Sequence, residues 1–268
     1  MSLYVIGDLH LSFGVHKPMD VFGGWENHVS ILKAAWLREI SAEDTVVLAG
    51  DTSWGMTFAE ALPDFQWIDA LPGRKIILKG NHDYWWTTMS KMTAFLRENH
   101  LDTLHILHNN HYAYEGYGIC GTRGWVNIEP SEPANAKVNA REAQRLEVSI
   151  RSAIADGLEP IVFLHYPPVF ADNCNYEMLE VLWKHQVKDC YYGHLHGSGS
   201  HRRSAFPHLL SGLYGAADPG ILRRSGFGSG VFPRRGQCRA GSEMDGTDSL
   251  PVLWPAYGRG PHRSEQSV

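Results

Sequence analysis

The 268-residue chain has only four cysteines, Cys120, Cys174, Cys190 and Cys238, and no two of them form a C-x-x-C pair. That is too few for a disulfide framework, and a reduced, cytoplasmic protein is expected. No apolar run approaches the ~20 residues needed to cross a bilayer, which excludes a membrane-spanning helix. The first residues, "MSLYVIGDLH", lack a basic start, a long apolar stretch and a cleavage site, so they read as a strand and not as a secretory leader. Basic residues are scarce in the body. Residues 1–200 carry 15 Lys and Arg against 24 Asp and Glu, whereas residues 201–268 carry 9 against 5. An acidic body disfavours nucleic acid as a partner and suits a protein that carries cations.

What the chain does have is apolar residues, at 43%, enough for a substantial core in one large domain or two small ones. "LYVIGD" (3–8), "TVVLAGD" (45–51), "RKIILKGNHD" (74–83) and "PIVFLHYPP" (160–168) are short β-branched runs that end in polar residues, as buried strands do. Between them, residues 25–40, 58–70, 86–99 and 139–155 space their apolar positions as helices do. In the last, Leu146, Ile150 and Ile154 form the stripe and Gly157 is the stop. Residues 104–126 read as short antiparallel hairpins. The alternation predicts an α/β fold.

"CYYGHLHGSG" places His194 and His196 two apart at a strand end. Residues i and i+2 of a strand face the same way, so the pair could present two imidazoles to a cation. The other strand ends are equally polar: Asp8 and His10, then Asp51 after Gly50, then Asn81, His82 and Asp83 after Gly80, then His165. Singly, each has an ordinary use as a turn residue, a helix cap or a core histidine. Together they occupy one topological position, the carboxyl ends of strands, where α/β sheets hold their ligands. A mixed His/Asp/Asn set fits Zn, Fe or Mn better than Ca.

In this order, "DLH", "GD", "GNHD", a lone His and "GHLH" resemble the motif set of the calcineurin-like metallophosphoesterases over roughly residues 1–200. "GTRGW" (121–125), "HYPP" (165–168) and "GNHDYWW" (80–86) are further similar to a bacterial branch of predicted phosphohydrolases. The resemblance implies a four-layer α/β/β/α sandwich with a dinuclear centre. Asp8, His10, Asp51 and His196 would hold one ion, and Asp51, Asn81, His165 and His194 the other. It implies a phosphoester hydrolase acting on small phosphoesters through a metal-bound hydroxide, with His82 protonating the leaving oxygen or stabilising the transition-state charge; Asp83, its neighbour, is a candidate for orienting the His82 ring. Two cations about 3.5–4 Å apart clamp phosphate oxygens and lower the pKa of a shared water. Arg123 is a candidate for contacting a substrate phosphate, and Trp54, Trp85, Trp86 and Trp125 are candidates for lining its pocket.

Two other classes fit parts of the chain: a scaffold that keeps the fold without catalysis, and a nuclease or RNA binder that uses the basic end. That end is compositionally foreign. Residues 201–268 have no Lys and no Asn, and Gly, Arg, Ser and Pro make up half of them. The expectation is a poorly ordered tail, or a shifted reading frame near Ser200 that leaves a sheet edge unpaired.

Overall fold

The computed structural model describes residues 1–126, 133–170, 173–195, 210–212 and 222–223. In chain order the elements are β1 (Leu3–Ile6), α1 (His28–Glu39), β2 (Thr45–Leu48), α2 (Phe58–Asp69), β3 (Arg74–Ile77), α3 (Met89–Glu98) and β4 (Leu104–Ile106). Then follow β5 (Tyr112–Tyr114), β6 (Tyr117–Thr122), α4 (Pro133–Ala155), β7 (Glu159–Leu164), β8 (Val169–Phe170) and β9 (Asn173–Cys174). The last are α5 (Tyr176–Lys184), β10 (Cys190–Tyr192), β11 (Leu210–Gly212) and β12 (Leu222–Arg223).

Two five-stranded sheets result, with strand orders β12-β1-β2-β3-β4 and β11-β10-β7-β6-β5. Strands β1 to β4 are parallel, as are β6, β7, β10 and β11; β12 and β5 run antiparallel at the edges. The fold is therefore mixed α/β. Residues 104–126 differ from the hairpin expectation. Only β5–β6 is a hairpin, while β4 pairs parallel with β3 and β6 pairs parallel with β7. Alternation within a short strand sets its faces but not its partner.

Period-two alternation sends successive strand residues to different cores. Tyr4, Ile6, Val46, Leu48 and Ile77 pack with Leu32 and Trp36 of α1, Phe65 and Ile68 of α2, and Met92 of α3. Their neighbours Leu3, Val5, Val47 and Ile76 pack with Ile119, Ile161 and Phe163 of the other sheet. Cys120, Val162, Leu164 and Cys190 pack with Leu146 and Ile150 of α4 and Leu179 and Leu182 of α5. The α4 stripe continues through buried Ala153, and Ile154 is exposed, which corrects the expected stripe by one position.

Local chemistry sets the helix ends. Thr57 and Glu60 form a reciprocal capping box at the start of α2. The Asn175 side chain accepts from the Met178 amide and starts α5, a helix the apolar spacing did not reveal. Gly157, with φ +74°, closes α4 as expected: the amide of Gly157 donates to Ile154 and that of Leu158 to Ala153. Beyond residue 200, β11 pairs with β10 and β12 with β1, so at these positions both edges carry a strand. No helix among the described residues is long and apolar enough to cross a membrane.

Candidate metal centre

Nine non-glycine residues among those described have positive φ, and four of them are Asp8, His10, Asp51 and His194. Such backbone costs energy and persists where surrounding contacts impose it. Here the contacts are visible. The amides of Asp8 and His10 donate to the carbonyls of Gly50 and Asp51, joining the loops after β1 and β2. The His194 amide donates to Asp8 Oδ2 at 2.8 Å, bringing in the loop after β10. A Cβ on Gly80 would collide with the amide and carboxylate of Asp51, so only glycine lets the third loop come this close.

Asp83 supplies the central clasp. Its Oδ2 accepts from the amides of Asp51 (2.9 Å) and Gly80 (2.7 Å). Its Oδ1 accepts from the amides of Thr52 (2.9 Å) and Ser53 (3.4 Å) and from Trp85 Nε1 (3.0 Å). At 0% exposure it touches no solvent. A group so enclosed holds the backbone of the loops after β2 and β3, and its hydrogen bonds come from these four amides and the Trp85 indole. Ser53 and Asp64 add a second tie, with Asp64 also accepting from the Phe13 amide at 2.7 Å.

The side chains held this way converge. Ligand atoms of Asp8, His10 and Asp51 lie within 4.8 Å of one another, and so do those of Asp51, His165 and His194. Asp51 belongs to both groups. His10 Nε2 is 3.7 Å and His165 Nε2 3.6 Å from Asp51 Oδ2, and His10 Nε2 is 3.9 Å from Asp8 Oδ1. Asn81 Oδ1 stands 2.6 Å from His165 Nε2. Asp8, His10, Asp51 and His165 are buried. His196 lies outside the described residues.

This donor set fits cations. His165 Nδ1 is 3.0 Å from the Ala49 carbonyl, which can only accept, so the ring proton sits on Nδ1. Burial pushes the His165 pKa down to about 4, which keeps the ring neutral. The Nε2 lone pair then points at two oxygens, Asn81 Oδ1 and Asp51 Oδ2, an arrangement that a cation between them would turn from repulsive to attractive. Burial first, then the charges of Asp83 and Asp8, pushes the Asp51 carboxyl well above its ordinary range. A positive charge reverses that pressure.

His82 is half-buried at the edge of this cluster, its amide donating to Asp51 Oδ1 at 2.7 Å. Its ring centroid lies 4.4 Å from Trp54 and 5.6 Å from His10, and His10 stacks on Trp54 at 5.0 Å. Of the expected pocket aromatics, Trp54 therefore borders the cluster. Trp85 is core, edge-on to Phe65. Arg123 sits beside the cluster. Its carbonyl accepts the amides of His165 and Tyr166, and its guanidinium lies 4.5 Å over Trp125 and 3.4 Å from Glu142. Sequence reasoning missed Lys79, one position before Gly80, and Glu142 and Arg145, carried by a helix read for its apolar stripe alone.

The family model for calcineurin-like phosphoesterases matches residues 1–198, and the chain belongs to that family of metal-dependent phosphoester hydrolases. An 86-residue stretch, 31% of the chain, is 40% identical to the Gene 66 protein of Mycobacterium phage L5, and the match spans 40% of that protein's length. Among solved structures, a protein of unknown function from Aquifex aeolicus is 18% identical, with a TM-score of 0.42 over 80% of this chain and 89% of its own. The phosphopantetheinyl hydrolase of Mycobacterium tuberculosis is 14% identical, with a TM-score of 0.41 over 73% and 83%.

Proposed function

We propose that the protein hydrolyses small phosphoesters at a dinuclear metal centre carried by a four-layer α/β/β/α sandwich. The layering is supported by the three cores, one between the sheets and one between each sheet and its helices. The observation that carries the functional reading is Asp51, shared by two ligand groups and, as a carboxylate, able to face two cations at once. In this reading Asp8 and His10 complete one site, with His196, and Asn81, His165 and His194 the other. Mn, Fe and Zn suit these donors.

When bound, such a pair of cations activates a shared water and draws in the phosphate oxygens. The chain's own groups do the rest. His82 is the proton donor to the leaving oxygen, placed by the hydrogen bond its backbone amide donates to Asp51 Oδ1 and walled by Trp54. Ala49, through its carbonyl, fixes the His165 tautomer so that Nε2 faces the centre. Asp83 holds the backbone of residues 51–53 and Gly80, so that the loops after β2 and β3 keep one geometry. A cytoplasmic setting accords with cysteines that are buried and free at 120, 174 and 190.

The test is turnover of para-nitrophenyl phosphate, bis-para-nitrophenyl phosphate and para-nitrophenyl phenylphosphonate by chelator-stripped protein reloaded with Mn, Fe, Zn or Ni. Metal-dependent release from at least one ester is expected. No turnover with any metal would leave a scaffold in place of an enzyme.

A further inference from the structure

Next to the candidate centre, the carboxyl ends of β3, β4 and β6 bring several basic groups together. Lys79 follows β3, His108 follows β4 and Arg123 follows β6, while Arg145 reaches in from α4. Lys79 is half-buried within electrostatic range of Arg123 and Arg145, and the opposing charges it feels are Glu142 and Asp83. His108 feels Arg145, Lys79 and Glu142.

The acids are already committed. Asp83 accepts from four backbone amides and an indole. Glu142 is buried and accepts from Thr122 Oγ1 at 2.5 Å, Arg145 Nη1 at 2.6 Å and Arg123 Nη2 at 3.4 Å. Lys79 has neither an ion pair nor a side-chain hydrogen bond among the described residues. Arg123 Nε is buried and likewise lacks a hydrogen-bond partner among them. Three basic side chains thus share two carboxylates that are both already engaged. Burying a lysine without a partner, against two guanidinium groups, costs folding energy. A structural ion network would have no use for the surplus.

We infer that Lys79, Arg123 and Arg145 form a subsite for a second phosphoryl group of the substrate, one that is held and not cleaved. This rests on the hydrolase reading above and specifies its substrate class: compounds with two phosphoryl groups. Arg123 offers a planar fork already stacked on Trp125 at 4.5 Å, and Lys79 a point charge, the pairing that suits a phosphate. Tyr166 links the two sites. It is within reach of the charges of both Arg123 and Asp51, and its ring lies 5.2 Å from His165 and 4.4 Å from His194.

The subsite can be tested without turnover. Chelator-stripped protein titrated with inorganic phosphate in a calorimeter should show saturable binding. Lys79→Met and Arg123→Gln should each weaken it roughly tenfold or more, the loss expected when a charged hydrogen-bond partner is removed. Lys79→Arg, which keeps the charge, should restore most of it, and circular dichroism will show that the variants fold. No binding by the wild type at tens of millimolar phosphate, or equal binding by all variants, would overturn the subsite. In metal-loaded protein, adenosine 3′,5′-bisphosphate should inhibit para-nitrophenyl phosphate turnover at roughly tenfold lower concentration than adenosine 5′-monophosphate, and Lys79→Met should erase that difference. Equal inhibition in the wild type would remove the second phosphate from the substrate. Failure of the hydrolase reading would show separately, as no turnover at all beside intact phosphate binding.

Discussion

The amide of His194 donates to Asp8 Oδ2 at 2.8 Å, across 186 positions of sequence. This one bond ties the last described ligand-bearing loop to the first, and with it one sheet to the other. It also engages a carboxylate oxygen of Asp8, so that the Asp8 side chain and the His194 backbone orient each other. The centre is assembled by such backbone ties as much as by its side chains.

Asp51 provides the sharpest test of a shared centre. Asp51→Asn removes the charge common to both ligand groups and should reduce metal content from two ions per chain to fewer than one. His10→Ala and His165→Ala should each lose chiefly one. Elemental analysis of the purified variants distinguishes these cases, and two ions per chain in Asp51→Asn would rule out the bridge.

His82→Ala should keep its metal and lose roughly 10²–10⁴ in turnover, the range for a positioned acid–base group. The loss should shrink for a good leaving group such as para-nitrophenolate, which needs little protonation. Comparison of kcat on para-nitrophenyl phosphate and on an alkyl phosphate reads this directly. Equal losses on both would leave electrostatic stabilisation as the role of His82.

Lys75 gives a pH signature remote from the centre. It is 0% exposed and donates to the carbonyls of Asp69 and Leu71, closing the end of α2, and to Thr103 Oγ1 at 3.1 Å. Burial pushes its pKa down to about 8 from 10.5. The folded protein therefore sheds this proton at a lower pH than the unfolded chain does, and stability gains from Lys75 as pH rises above about 8. The gain has an upper bound of about 3 kcal/mol by pH 10.5. Buried Cys120, pushed up to about 12, acts in the opposite direction above pH 9, so the useful window is pH 7.5–9. Urea midpoints across that window should rise more in the wild type than in Lys75→Met. Parallel curves would show that Lys75 titrates as it would in water.

Chains ending at residue 200 and at residue 224 separate the two accounts of the C-terminal region. The shorter one loses β11 and β12 and so uncovers β10 and β1. It should aggregate at concentrations where the longer one stays monodisperse in light scattering. If the frame instead shifts near Ser200, residues 201–224 add no packed structure, and the two chains should share one thermal midpoint within about 1 °C. Resequencing from the codon of His194 decides the frame itself.

Much of the centre was legible because its residues sit where the chain changes character. Asp8, Asp51, Asn81 and His165 each interrupt an apolar run at a strand end, and a parallel sheet gathers strand ends on one rim. What stayed hidden depends on contacts that no local pattern encodes. The partners of Asp83 are mostly backbone amides some thirty positions earlier, which any sequence would possess. Strand β4 alternates as a hairpin strand would, and only the assembled sheet makes it a parallel neighbour of β3. Lys79 looks like an ordinary lysine at the end of a strand until Arg123 and Arg145 arrive from elsewhere in the chain.

The Asp83 clasp bears on how the protein handles different metals. The backbone of residues 51–53 and of Gly80 is fixed by neutral hydrogen-bond donors around one buried carboxylate, independently of any ion. The ligand loops therefore have a shape of their own to return to when metal leaves. Stripping and reloading should then behave as an exchange reaction at a standing site, fast and reversible, instead of a cycle of unfolding and refolding. Under those conditions, which metal occupies the protein is decided by equilibrium, through each ion's affinity for these donors and its supply around them.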